Sequence, residues 1–210
     1  MEKKKTVSYW IFLLVRVFSI ILIVVTIING HWLGTFNAGL TLFVTFLPNI
    51  LQKKWNIVYP IELWIVALLF VMAALIFGEV FDFYYRFVWW DAALHTLSGF
   101  VIAMIAFIVV KQLNENIDIR VTLSPLFIAL FAVCFSMSIG VVWEIFEYTM
   151  DSAFGTNMQK SGLVDTMQDL IVCTIGSVTV GIMGYTHLKT GKNNMIGRMM
   201  DKQEKISLEK

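Results

Sequence analysis

The stretch VSYWIFLLVRVFSIILIVVTII, residues 7–28, decides the fold class of this chain. Arg16 is its only charged residue, and its length matches the roughly 20 helical residues that cross a hydrocarbon core of about 30 Å. The stretch is longer than the apolar region of a signal peptide, and no A-x-A cleavage site follows it. We therefore interpret it as an uncleaved first membrane span.

Five further apolar runs follow along the chain. The 210 residues are 58% hydrophobic and only 15% charged, whereas a typical soluble domain is about 25% charged. The sequence thus predicts an all-α, polytopic membrane bundle of about six transmembrane helices. The spans are expected near residues 7–28, 33–51, 57–77, 90–111, 123–148 and 164–187. Residues 1–188 are predicted to form a single six-helix transmembrane domain, followed by a basic cytoplasmic tail at 189–210.

The placement of basic residues predicts the orientation of these spans. Thirteen of the 16 Lys and Arg residues fall at the termini or in the second and fourth loops, which share one side of a six-span bundle. They include Lys53, Lys54 and Arg120, whereas only Arg86 and Lys160 lie in loops on the other side. Because cytoplasmic loops are enriched in Lys and Arg, both termini are expected in the cytoplasm.

Acidic residues in the last three predicted spans follow helical spacing. They occur in the motifs WWDAALH at 89–95, WEIFEYTMD at 143–151 and DTMQD at 165–169. Residues three, four or seven apart share one face of a helix, so each motif presents a polar stripe. The stripes are Asp91 with His95, then Glu144 with Glu147 and Asp151, and finally Asp165 with Asp169.

The three stripes are predicted to lie at similar depths in the membrane. The fourth and sixth spans descend from the outer side and the fifth rises towards it, so His95, Asp169 and Glu144 are expected at one level, a turn below an outer acidic layer. Each charged carboxylate deep in a bilayer costs about 2.5–3.5 kcal/mol. With six carboxylates and no cation of the chain expected nearby, the site must hold protons, take up water or bind a cation.

The residue types predict a metal site as the first interpretation. Carboxylates with one imidazole suit Mg²⁺, Mn²⁺, Ca²⁺, Zn²⁺ or iron, among which the sequence does not distinguish. The predicted metal ligands are Asp91, His95, Glu144, Asp165 and Asp169, and the candidates for a catalytic general base are Glu147 and Asp151. The alternative is that all of these are ordinary helix-end acids in the headgroup region.

In these three motifs, from about Gly78 to Tyr185, the chain resembles the YjdF-type family of bacterial inner-membrane proteins. It is more remotely similar to VanZ-like proteins, which are associated with teicoplanin resistance and carry an Asp-x-x-x-His helix, a Glu-bearing helix and a closing Asp-rich helix with spaced glycines. Asp169 departs from that remote pattern, which tends to have a neutral residue there. The resemblance implies a multi-pass protein of the bacterial cytoplasmic membrane with a shared outer-face site.

Three functions are compatible with these patterns. The first is a metal-dependent hydrolase or transferase acting on an envelope lipid or phosphate substrate at the outer leaflet. The second is a transporter or sensor of cations or protons. The third is a non-catalytic membrane protein that binds an envelope precursor or a drug. Membrane lipids, and for the first function a lipid-linked envelope substrate, are the expected partners; no nucleic acid is expected, and the sequence predicts no oligomeric state.

Overall fold

The structure, a computed structural model, describes residues 2–50, 61–115 and 122–208. Its described part is helical and contains no strand. The helices are α1 Glu2–Ile28, α2 Trp32–Val44, α3 Ile61–Val71, a π-helix Met72–Val80, α4 Phe83–Arg86, α5 Trp90–Glu115, α6 Pro125–Phe154, α7 Leu163–Thr190 and α8 Met195–Leu208. The all-α class predicted from the sequence is confirmed.

Five helices of the described segments are long and apolar enough to cross a membrane. They cover Tyr9–Ile28, Ile61–Val80, Trp90–Asn114, Pro125–Phe154 and Leu163–Thr190. The second predicted span corresponds to α2, whose 13 residues are fewer than the roughly 20 that a perpendicular crossing needs. The start of the third predicted span, residues 57–60, and the loop cations Lys53, Lys54 and Arg120 lie outside the described residues. Six spans with both ends inside therefore stay a prediction.

The chain divides into two compact units, of which the first comprises residues 1–90 together with the last two residues. Within it, polar contacts join α1 to the end of α2. The guanidinium of Arg16 donates to Thr45 Oγ1 and to the Thr45 carbonyl, each at 3.0 Å, and its carbon lies 4.3 Å from the centre of the Phe46 ring. Trp90 Nε1 donates to the carbonyl of Ala73 in the π-helix, at 3.3 Å. These contacts satisfy donors that lipid would leave unpaired.

The second unit, residues 91–208, holds the three helices that carry the acidic motifs. Helices α5 and α7 meet through two glycines, because a Cβ at Gly99 would collide with the carbonyl of Cys173 and a Cβ at Gly176 with that of Thr96. Small residues allow membrane helices to approach this closely. The carbonyl of Gly99 also accepts hydrogen bonds from Ser136 of α6 at 2.8 Å and Ser177 of α7 at 3.3 Å. One peptide group thus joins all three helices.

The predicted basic tail contains α8, which packs on α7. Ile196 and Met200 are almost fully buried, and Gly197 lies against the imidazole of His187. Asn194 begins the helix by accepting from the Gly197 amide at 2.9 Å, and its own amide donates to the carbonyl of Met183 at 2.7 Å. A helix with one apolar stripe buried against a neighbour is the usual arrangement for an amphipathic segment.

Candidate metal centre

Asp91 and His95 occupy the first turns of α5 and face the same way. Their four-residue spacing places His95 Nε2 3.6 Å from Asp91 Oδ1. His95 is buried and the Asp91 side chain is 15% exposed, so the pair lies inside the unit. Both residues precede Gly99 by one or two turns, and the close approach of α5 to α7 at that glycine brings His95 towards Asp169.

Side chains from the other two helices converge on the same imidazole. His95 Nε2 lies 3.9 Å from Asp169 Oδ2 on α7, and His95 Nδ1 lies 3.9 Å from Glu144 Oε1 on α6. Asp91, His95 and Asp169 each offer one ligand atom within 4.8 Å of the other two. Helix geometry predicts that His95, Asp169 and Glu144 share one level, and in the structure these three side chains lie close together.

Two of the carboxylates, one on a buried and one on a half-buried residue, have buried oxygen atoms without a hydrogen-bond partner. The Glu144 side chain is 5% exposed, and neither of its oxygens has a partner with full hydrogen-bond geometry among the described residues, although the side chains of Thr166 and Gln159 lie near enough to favour its charged form. Within the same ranges, Oδ2 of Asp165 also has none. A buried charge without a partner costs several kcal/mol, so native proteins pair such groups or bring a metal to them.

Lys160 corrects the expectation that no cation of the chain is near the acids. Its ammonium lies 2.6 Å from Asp91 Oδ2 and its side chain is 27% exposed. The connection between α6 and α7 that carries it is bounded by Gly155 and Gly162, both with positive φ. Glycine adopts this backbone conformation without the steric cost that a side chain brings. Lys160 and Asp91 are 69 residues apart, and the only sequence signal was that Lys160 is one of two basic residues predicted on the acidic side.

The two candidate bases have different surroundings. Glu147 is buried one turn from Glu144, and its Oε1 accepts from Trp143 Nε1 at 2.9 Å. Asp151 accepts from Thr156 Oγ1 at 2.6 Å, from the Met158 amide at 2.8 Å and from the Gln159 amide at 2.9 Å. Asp151 therefore orders the connection that carries Lys160. Neither arrangement tests a catalytic role, which stays a prediction for both residues.

Fold and site together define a multi-pass helical membrane protein with a buried cluster of carboxylates and one imidazole. The chain belongs to the family described as Predicted membrane protein (DUF2238), which it matches over residues 9–190. This is the YjdF family, so the match is consistent with the YjdF-type resemblance of the motifs.

A relative from Thermotoga maritima, described as "Uncharacterized protein", is 33% identical over 117 residues, which are 56% of this chain and 58% of the relative. The chain thus matches little more than half the length of that protein. No solved structure matches the chain.

Proposed function

We propose that this protein binds a divalent cation within the second unit, with Asp91, His95 and Asp169 at the centre of the site. Glu144 and Asp165 are the other predicted ligands. The observation that carries the proposal is the convergence of three carboxylates on one buried imidazole, in which Asp91, His95 and Asp169 each offer a ligand atom within 4.8 Å of the other two. One lysine offsets only one of these charges, and a divalent cation would offset two more.

The activity that this arrangement favours is metal-dependent hydrolysis or group transfer on an envelope lipid or phosphate substrate. If Asp91, His95 and Asp169 alone bind the cation, coordination positions stay open for water and substrate, as in catalytic metal sites. A bound divalent cation would polarise a phosphoryl oxygen or activate water. Glu147, one turn along α6 and buried, is then the general base, with Asp151 as the weaker candidate because its oxygens already accept three hydrogen bonds.

Lys160 favours an anionic substrate. Phosphate groups are usually held by Arg or Lys together with metal ions. The ammonium adjoins Asp91 at the end of the cluster and its side chain is 27% exposed. Asp91 and Asp165 both lie within the first turn of their helices, near a predicted membrane boundary, where a headgroup is within reach. The proposed location is the outer face of the bacterial cytoplasmic membrane, and the VanZ-like resemblance extends the hypothesis to envelope precursors.

The transport alternative has less support from the composition of these helices. Residues 96–110, 125–143 and 170–188 contain no Asp, Glu, Lys or Arg. Below the serine contact at Gly99, the side chains of Phe107, Ile128 and Val180 are buried and apolar. A path for ions needs polar groups along its length. A polar cluster at one end of otherwise apolar helices fits catalysis or binding better than passage.

Metal content and turnover test the proposal. Protein purified in detergent should contain a divalent metal near one per chain by elemental mass spectrometry, and His95→Ala and Asp169→Asn should lose it, whereas the control His187→Ala should keep it. Metal-loaded protein in vesicles of bacterial phospholipid should release phosphate or headgroup, and Glu147→Gln should not. Wild type without stoichiometric metal, after supply of each candidate ion, contradicts the site; metal without turnover leaves the non-catalytic binding protein as the function.

A further inference from the structure

The imidazole of His95 separates Glu144 from the two aspartates. Its Nε2 faces Asp91 at 3.6 Å and Asp169 at 3.9 Å, whereas its Nδ1 faces Glu144 at 3.9 Å. The two nitrogens are separated by one ring carbon, and their lone pair and N–H point in different directions out of the ring. Glu144 is therefore placed behind the ligand rather than among the ligand atoms, and the three-residue group within 4.8 Å does not include it.

The proton on the His95 ring decides whether this histidine can bind a metal. A neutral imidazole carries its proton on one nitrogen, and only the other nitrogen has a lone pair to offer. Histidines that bind metals almost always donate the remaining N–H to a carboxylate, a carbonyl or water, and this contact fixes both the tautomer and the ring orientation. In this site, the carboxylate on the Nδ1 side is Glu144.

We propose that Glu144 is a positioning residue that accepts the Nδ1–H of His95 and thereby keeps Nε2 available for the cation. The inference rests on the proposed metal site and changes the role of Glu144 within it from ligand to partner of a ligand. It also accounts for a side chain with 5% exposure whose oxygens have no partner with full hydrogen-bond geometry in the described residues, because a contraction of the 3.9 Å separation gives it one.

Asp91 has a comparable partner. Its Oδ1 faces His95, whereas its Oδ2 accepts from Lys160 at 2.6 Å. One oxygen thus points into the cluster while the other is held from outside. Two of the three central ligands then have an oriented partner from another part of the chain, one from α6 and one from the connection that follows it.

Nitrogen NMR on the full chain in micelles tests the role of Glu144. The chain contains three histidines, and His95→Ala identifies the signals of His95 after ¹⁵N-histidine labelling. With ¹¹³Cd²⁺ as the probe, the cadmium coupling should appear on Nε2 and the proton on Nδ1. Glu144→Gln and Glu144→Ala should weaken Cd²⁺ binding about 10–100-fold and still show bound cadmium at saturation.

A second carboxylate and imidazole pair supplies the control. Asp201 Oδ1 lies 3.5 Å from His187 Nε2, so Asp201→Asn should change the His187 signals and leave both the His95 signals and Cd²⁺ affinity as in wild type. Cadmium on Nδ1, or loss of Cd²⁺ in both Glu144 variants as complete as in His95→Ala, would overturn the inference.

The same spectra separate this inference from the proposed function. If wild type takes up no metal, the proposed function fails, while the metal-free spectrum still reports the Nδ1 proton. A proton on Nδ1 that becomes depopulated in Glu144→Ala supports the positioning role without any metal. A bare Nδ1 in wild type contradicts that role. Glu144→Gln keeps the shape of the side chain and serves if the alanine variant does not fold.

Discussion

The ammonium of Lys160 lies 2.6 Å from Oδ2 of Asp91, across 69 residues of chain and at the edge of a cluster that is otherwise acidic. This ion pair joins the segment between α6 and α7 to the first turn of α5. Both side chains are partly buried, at 27% and 15% exposure, so solvent screens the contact less than it screens a surface ion pair.

Removing Lys160 should therefore destabilise the metal-free protein. In a double-mutant cycle with Lys160→Met and Asp91→Asn, we expect a coupling free energy of about 1–3 kcal/mol, typical of a hydrogen bond to a charged group. Unfolding in detergent with a chelator present measures it. A coupling near zero would mean that the pair contributes nothing beyond what each side chain does alone.

Binding of a divalent cation should become tighter without Lys160. The ammonium and the cation repel each other, and the cluster of the Lys160→Met variant is more negative by one charge. Isothermal titration of the chelator-treated protein should show a lower Kd for Lys160→Met than for wild type. The Kd of Lys160→Met should also depend more strongly on salt than the Kd of wild type does. Weaker binding by the variant would indicate that orienting Asp91 matters more than the repulsion.

Metal should also stabilise the fold. A ligand present at 100 times its Kd adds about 2.7 kcal/mol to the free energy of unfolding. We expect added metal to raise the unfolding temperature of wild type and a chelator to lower it again. The unfolding temperature of Asp169→Asn should respond to neither. Asp82→Asn, an exposed carboxylate in the other unit, is the control and should respond as wild type does.

The close contact between α5 and α7 depends on Gly99. Gly99→Ala places a methyl group against the carbonyl of Cys173, and overpacking of this kind costs about 1–3 kcal/mol. The same displacement should weaken metal binding, because it separates His95 from Asp169. Gly39→Ala is the matched control, since no atom lies within 4 Å of its added Cβ. Equal unfolding temperatures for Gly99→Ala and wild type would contradict the close contact.

Asp151 should act on the connection rather than on the metal. Asp151→Ala removes the acceptor of three hydrogen bonds, so amide hydrogens of Met158 and Gln159 should exchange faster, by about the tenfold that the loss of 1.4 kcal/mol gives. Metal content should match wild type. Hydrogen exchange followed by mass spectrometry measures the first quantity and elemental analysis the second. Loss of metal would indicate that Asp151 also supports the metal site, a role that the sequence did not predict for it.

The sequence predicts the cluster well because its key contacts repeat along helices. Four-residue spacing places Asp91 beside His95, and counting turns from the loops places His95 level with Glu144 and Asp169. Neither step needs tertiary information. The length of α2 was beyond this reasoning, because an apolar run from 33 to 51 does not reveal that the helix ends at Val44.

The contacts of Lys160 and Asp151 could not be predicted for a different reason. Both depend on the path of the connection between α6 and α7, and that path is set by hydrogen bonds that loop amides donate to Asp151 and by two glycines with positive φ. A helical period gives no information about such a segment. The sequence predicts that Lys160 lies on the same side as the acidic motifs, and only the structure shows that its ammonium contacts Asp91.

The pair Gly99 and Gly176 limits how the packing of α5 on α7 can change by substitution in this chain. Each position already holds the smallest residue. Each faces a backbone carbonyl, so no mutation of the neighbouring residue can make room for a larger side chain. Any substitution at either site adds volume and can only push α5 and α7 apart. Replacing either glycine should therefore widen the cluster that lies between these helices and make it suit a larger ion or none.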